Sequence, residues 1–176
     1  MIPLQHSSPA AGLTVLELLI TVTAGAILLT TAVPGFRHLL LDARMTAAVN
    51  ALVHDLHLAR QAANLRGQTV LLCPAATGAG CPPGGSWQAG WAVVAPADPP
   101  GAATATVLAT STSPSGVAVQ SNRRAYAFRP FTLRDTNGTI GFCDRRGAAA
   151  ARAVIVSPTG RPRLASSAEA RARIKC

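Results

Sequence analysis

The sequence predicts an α+β protein, in which one long N-terminal helix packs against an antiparallel β-rich domain. Three observations predict it. Residues 13–33 are apolar apart from Glu17, and about 20 such residues make a helix that crosses a bilayer core of roughly 30 Å. Apolar residues then recur, mostly at three- and four-residue steps, through Phe36, Leu39, Leu40, Ala43, Ala47, Leu52, Leu56, Ala59 and Ala63. Charged side chains fall mostly between them, the pattern of a helix with one buried face. Beyond Gly67, a natural stop just past Arg66, short runs of Val, Leu and Ile alternate with Gly, Pro and Asn turn signals, as in a β-rich domain.

Taken in order, residues 13 to about 66 form one helix, apolar all round to Val33 and amphipathic after Pro34. A strand follows at 68–73, then a Gly- and Pro-rich loop at 74–85, then a second strand at 86–94. Trp87 and Trp91 lie four apart, on one face of that second strand, and are expected in the core against the helix rather than as base-stacking platforms. Residues 95–116 are a long loop with at most one strand at 105–109. Residues 117–120 are expected to pair with 125–128, and 131–133 with 139–143 across Asn137-Gly138, a strong hairpin signal. A strand at 151–157, a turn at Pro158-Thr159-Gly160, a return strand at 161–164 and a tail to Cys176 complete the chain. Aromatic content is only 4%, so the core must rest mainly on Val, Leu, Ile and Ala.

The residues Ala11-Gly12-Leu13-Thr14-Val15-Leu16-Glu17 resemble the N-terminus of type IV pilins and pseudopilins. In that family a short polar leader ends in Gly, and an apolar helix follows with Glu at its fifth position. Pro34 is similar to the family's helix-softening proline. Leu13 stands where the family usually has Phe, and the leader has no Lys or Arg. The resemblance implies a leader at 1–12, a transmembrane or filament-core segment at 13–34, an amphipathic half-helix at 35–66 and a globular domain at 67–176. It further implies cleavage after Gly12 by a prepilin peptidase and methylation of the new N-terminus at Leu13. Glu17 would pair with the N-terminal amine of a neighbouring pilin. Residence in the inner membrane, with the C-terminal domain periplasmic, would precede assembly into a pilus at the cell surface. A secretory signal, by contrast, carries its charges before the apolar run and its cleavage site after it.

A narrower resemblance rests on Ala59-Arg60, Arg66-Gly67-Gln68, Val70, Leu72-Cys73-Pro74, Cys81, Trp87, Gly90 and Trp91. Together they are similar to the GspH/FimT group of minor pilins and pseudopilins. With the N-terminus, the likeness covers roughly the first half of the chain.

Charge distinguishes the second half. The formal net charge is +9, and residues 123–176 account for the excess, with twelve basic side chains against Asp135, Asp144 and Glu169. All but one of the basic residues are Arg, suited to bidentate phosphate contacts, so a polyanionic partner is expected. The four cysteines, Cys73, Cys81, Cys143 and Cys176, form an even set, which in an exported domain favours disulfides. Cys73 and Cys81 bracket the Pro/Gly loop, so 73–81 with 143–176 is the preferred pairing. A four-thiolate zinc site is the rival, but the chain has no C-x-x-C pair.

Catalysis finds little support, since no Ser or Cys sits in a nucleophile motif and no Gly-rich phosphate loop precedes a helix. His38, His54 and His57 all fall on the helix; His54 and His57, with Asp55, could seed a metal site, and a solvated or filament-facing surface is the simpler reading. No cofactor is expected. The stretch Gly160-Arg161-Pro162-Arg163 resembles the Gly-Arg-x-Arg motif of FimT-type minor pilins that bind DNA in natural transformation. Two arginines at i and i+2 of a strand share a face and can straddle adjacent phosphates. Arg161 and Arg163 are therefore the expected centre of a DNA site, with Arg145, Arg146, Arg152, Arg171, Arg173 and Lys175 as flanks. The alternative is a structural subunit without DNA affinity, either a GspH-like pseudopilin of type II secretion or a pilin that primes the pilus tip. In that case the arginines are a solvated face.

Overall fold

The computed structural model describes residues 12, 14–75, 81–82, 84–97, 105–132 and 134–176. Residues 1–11 of the expected leader at 1–12 and the expected first mature residue, Leu13, lie outside the described residues, as do half of the 74–85 loop, residues 98–104 and Leu133. Two compact units divide the chain, Met1–Leu40 and Leu41–Cys176.

Helix α1 spans Val15–Arg66. Thr14 caps it, accepting from Glu17 N at 3.2 Å. Such a side-chain acceptor satisfies one of the donors that a helix start leaves open. In the first unit the apolar side chains of α1 are exposed, and the helix is long and apolar enough to cross a membrane. Its threonines hide their hydroxyls on carbonyls of the preceding turn: Thr21 on Leu18 O at 2.9 Å, Thr23 on Leu19 O at 2.8 Å and Thr30 on Ile27 O at 2.8 Å. These bonds leave fewer unmet donors for a lipid or filament core.

In the second unit α1 buries Leu41, Met45, Ala48, Val49, Leu52, Leu56, Ala59, Ala62 and Ala63. The expected stripe holds from Leu52 onward. Before it the phase differs: Phe36, Leu39, Leu40, Ala43 and Ala47 are exposed, and Leu41 and Met45 carry the buried face. Alanine suits either face of a helix, so spacing alone could not tell the two phases apart.

The strands form two four-stranded antiparallel sheets rather than one. The first has the order β3-β2-β1-β5, from β1 (Val70–Pro74), β2 (Trp91–Ala95), β3 (Thr106–Ser111) and β5 (Tyr126–Phe128). The second has the order β4-β6-β7-β8, from β4 (Ala118–Ser121), β6 (Gly138–Cys143), β7 (Arg152–Val156) and β8 (Pro162–Leu164). Both expected early hairpins are corrected. The 117–120 and 125–128 segments go to different sheets, β4 onto β6 and β5 onto β1. The Asn137-Gly138 pair does not close a hairpin with 131–132; β6 pairs with β4 and β7, with Gly138 opposite Val156. The later hairpin is as expected, with Val156 opposite Pro162 and Val154 opposite Leu164.

One core joins the α1 stripe to Val70, Leu72, Trp91, Val93, Tyr126 and Phe128 of the first sheet and to Val119, Ile140, Phe142, Val154 and Val156 of the second. Trp91 meets Phe142 edge-on at 6.3 Å between centroids and donates Nε1 to Asp55 Oδ2 at 2.8 Å. Trp87 lies not on a strand but in a 3-10 turn over Trp87–Ala89, edge-on to Tyr126 at 5.9 Å. Both tryptophans are buried, as expected.

The tail from Ser166 is not irregular. Helix α2 spans Ser167–Arg173, and Ser166 Oγ accepts from Glu169 N at 3.3 Å. It covers the outer face of the second sheet, where Cys143, Ala153, Ala170 and Ile174 form a small second cluster. Gly141 permits this approach: a Cβ there would lie 2.5 Å from Ile174 Cδ1.

Candidate nucleic-acid interface

The Gly-Arg-x-Arg turn is built on a post that the sequence does not announce. Gly160 has φ +72°, and a Cβ there would collide with Asp135 and Arg60. Only glycine fits that combination of left-handed backbone and close packing. Gly160 N donates to Ser157 O at 2.8 Å, and Ser157 N to Arg161 O at 3.0 Å, which closes the turn between β7 and β8. Arg60, from α1, donates to Thr132 O at 3.0 Å and to Thr159 O, and pairs with the buried Asp135 carboxylate. Its guanidinium also lies 5.9 Å from the Phe128 ring centroid. Asp135 N donates to Pro158 O at 2.7 Å. The turn and the 129–135 loop are thus held together on one buried ion pair. Gly160 acts through conformation, and Arg161 leaves the turn exposed.

The basic residues singled out from sequence fall into three groups. Arg146 is mostly buried, its guanidinium donating to both Asp144 oxygens at 2.6–3.1 Å and to Asp42 Oδ1 at 3.0 Å. Arg152 donates to Thr46 Oγ1 at 2.7 Å and lies 3.7 Å from Asp42. These two pin the second sheet to α1. Arg163 makes a bidentate pair with Glu169 at 2.8 and 2.9 Å, and Arg173 approaches the same carboxylate at 3.5 Å. Arg145, Arg161, Arg171 and Lys175 are exposed and make no ion pair among the described residues.

Contacts and shared cavities link four of the basic residues, Arg163, Arg173, Lys175 and Arg145, into a track. Arg163 and Arg173 share Glu169, and Arg173 and Lys175 line one cavity of about 420 Å³. Lys175 and Arg145 line the next, of about 520 Å³, beside Cys143 and Cys176. The disulfides are Cys73–Cys81 and Cys143–Cys176, the preferred pairing. The second holds the end of the track to β6. The possible metal seed at His54 and His57 is undercut by Asp55, which is buried and accepts from Trp91 Nε1 and from Ser111 Oγ at 2.6 Å.

The acidic partners respond to their arginines. Arg146 holds the Asp144 carboxyl below its ordinary range against an opposing cost of burial, and the hydrogen bonds from Arg163 lower Glu169 in the same sense. A carboxylate whose pKa is lowered on folding adds stability that is complete above its unfolded pKa and disappears as pH falls through the folded value. Unfolding of the wild type is therefore expected to become easier as pH falls below the ordinary carboxylate range of about 4. In Asp144→Asn that pH dependence should shrink; a urea midpoint with the same pH slope in both proteins would contradict the assignment.

The family model described as Type II transport protein GspH matches residues 48–160. The chain belongs to the GspH family. The match takes in most of the core stripe of α1, seven of the eight strands and Gly160, and stops one residue before Arg161. Two crystal forms of the type IV minor pilin FimU of Pseudomonas aeruginosa, strain PAO1, share the fold. One has a TM-score of 0.56 at 17% identity over 73% of this chain and 93% of that one. The other has 0.53 at 17% over 71% and 95%. No curated protein matches the chain. The fold is that of a type IV pilin, and the GspH-family chain is a pilin-like structural protein rather than an enzyme. Its apolar first half-helix is consistent with membrane anchoring and pilus assembly.

Proposed function

We propose that this GspH-family protein is a minor pilin that binds DNA through its C-terminal arginines, as a receptor for DNA uptake in natural transformation. The observation that carries the proposal is the track of exposed cations from Arg163 through Arg173 and Lys175 to Arg145, with the exposed Arg161 two residues before Arg163. Arg171 flanks it on α2. Such a surface binds the phosphate backbone and reads little sequence. Arg146 and Arg152 contribute by fixing the sheet that carries the track, and Gly160 by setting the turn before Arg161. Glu17 would serve assembly with neighbouring pilins, after a prepilin peptidase cuts behind Gly12 and Leu13 is methylated.

Glu169 supplies the test. Its carboxylate occupies Arg163 and lies close to Arg173, so it competes with phosphate for both. Duplex DNA binding by the full chain in nonionic detergent should weaken severalfold in Arg161→Gln and less in Arg163→Gln. Glu169→Gln should bind more tightly than the wild type. Equal affinity in all four proteins would sink the proposal. The second reading, a structural pseudopilin of type II secretion, draws support from the family description itself. It predicts no useful DNA affinity in any of them.

A further inference from the structure

Phe131 is an exposed aromatic that the core does not use. It is 84% exposed and is the one non-glycine residue at positive φ among the described residues, at +53°. A bulky side chain in that region is a genuine backbone outlier, and such outliers are places to look for function. The conformation is held from both sides. Asn64 Oδ1 accepts from Phe131 N at 3.2 Å, and Arg60 donates to the next carbonyl, Thr132 O, at 3.0 Å.

The surroundings are cationic. Arg129 donates Nη1 to Arg134 O at 3.1 Å, closing the loop around Phe131, and both arginines are exposed without an ion pair among the described residues. Arg60 joins this loop to Thr159 and so to the turn that presents Arg161. An exposed ring in a loop that also carries two exposed arginines, tied by Arg60 to the turn before Arg161, has the makings of a stacking platform for nucleic acid.

We propose that Phe131, flanked by Arg129 and Arg134, stacks an unpaired base of DNA, so that single-stranded segments or frayed ends bind here while phosphates follow Arg161. The inference rests on the DNA-binding reading above and adds a preference for strand form. A duplex offers a protruding ring no free base face without unstacking, whereas every base of a single strand presents one. The platform is sequence-tolerant, because stacking uses the π-face common to all bases.

The test uses the full chain in nonionic detergent with an oligothymidylate and a duplex of equal length. Phe131→Asn removes the ring and keeps a residue that tolerates positive φ. It should weaken oligothymidylate binding about tenfold and leave duplex binding within about twofold. Trp87 and Trp91 are buried, so Phe131→Trp adds a surface fluorophore that oligothymidylate should quench. Unchanged oligothymidylate binding in Phe131→Asn, with Arg161→Gln weakening both ligands, would overturn this inference and leave the DNA reading intact. A Phe131→Trp signal that ignores oligonucleotides and changes only on assembly with other pilins would make the ring a subunit contact and overturn it too. No binding of either DNA by the wild type would overturn both.

Discussion

Replacing Arg60 with alanine is expected to destabilise the globular unit by about 3–5 kcal/mol, the usual cost of stripping one partner from a buried ion pair. The Asp135 carboxylate has no exposure. Without Arg60 it keeps a backbone donor, Arg129 N at 3.0 Å, but loses its cation. The Thr132 and Thr159 carbonyls lose their shared donor in the same step. Thermal unfolding of the full chain in detergent should show a Tm lower by about 10 °C or more. Asp135→Asn in the Arg60→Ala background should recover part of that loss, because a neutral amide no longer needs the cation. A Tm within about 2 °C of wild type would mean that the pair contributes little. The DNA consequence is separate: the turn that carries Arg161 would be untied from α1, so affinity should fall even where the protein remains folded.

Removing the Cys143–Cys176 disulfide by the double substitution Cys143→Ser/Cys176→Ser should cost about 4 kcal/mol on the chain-entropy model. It closes 33 residues of sequence, against 8 for Cys73–Cys81, whose removal should cost about 2.5 kcal/mol. The larger loss should appear first as local opening. Helix α2 has 7 residues, too few to persist without tertiary support. Its remaining anchors are Ala170 and Ile174 against the small outer cluster, and Glu169 on Arg163. Hydrogen exchange at the Ala170 and Ile174 amides should accelerate well before the β6 and β7 amides respond. Equal acceleration everywhere would show that the crosslink stabilises the whole unit rather than the tail.

The long helix was legible because two independent patterns, an apolar run and a helical repeat, meet at one residue range. Where small residues occupy both faces, as at Ala43 and Ala47, the repeat loses its phase and does not mark Leu41 and Met45 as buried. Strand existence was legible and strand pairing was not. Residues 117–120 and 125–128 are neighbours in the chain, yet their partners, β6 and β1, are chosen by which face of the core each covers. The Asn137-Gly138 signal competed with tertiary contacts: Asn137 O accepts from Arg123 Nε at 2.9 Å, and Gly138 begins a central strand. Helix α2 was readable all along. Ser166 followed by Glu169 before a run of good helix formers is a capping box.

The basic site was legible in composition but not in charge balance. That Arg146 answers to Asp42 across 104 residues, or that Glu169 occupies Arg163, follows only from the fold. So does the role of Arg60, whose Ala59-Arg60 motif marked it as a family residue without saying that it carries the Gly160 turn. The sequence places Phe131 in a strand at 131–133, whereas the structure has it in a loop. Its position two residues after Arg129, in a segment with Pro130 before it and Arg134 beyond, was the only hint of an exposed loop.

If the exposed cations form a phosphate track, DNA binding must depend steeply on salt. The full chain in nonionic detergent would be titrated with duplex DNA at several salt concentrations, beside Arg161→Gln/Arg163→Gln. With roughly four phosphates neutralised, log K should fall against log salt with a slope of about −3 to −4. The double variant should bind more weakly and lose about two units of that slope. A wild type that does not bind at low salt, or binds with a slope near zero, would rule out the track and leave a structural pilin of the GspH family.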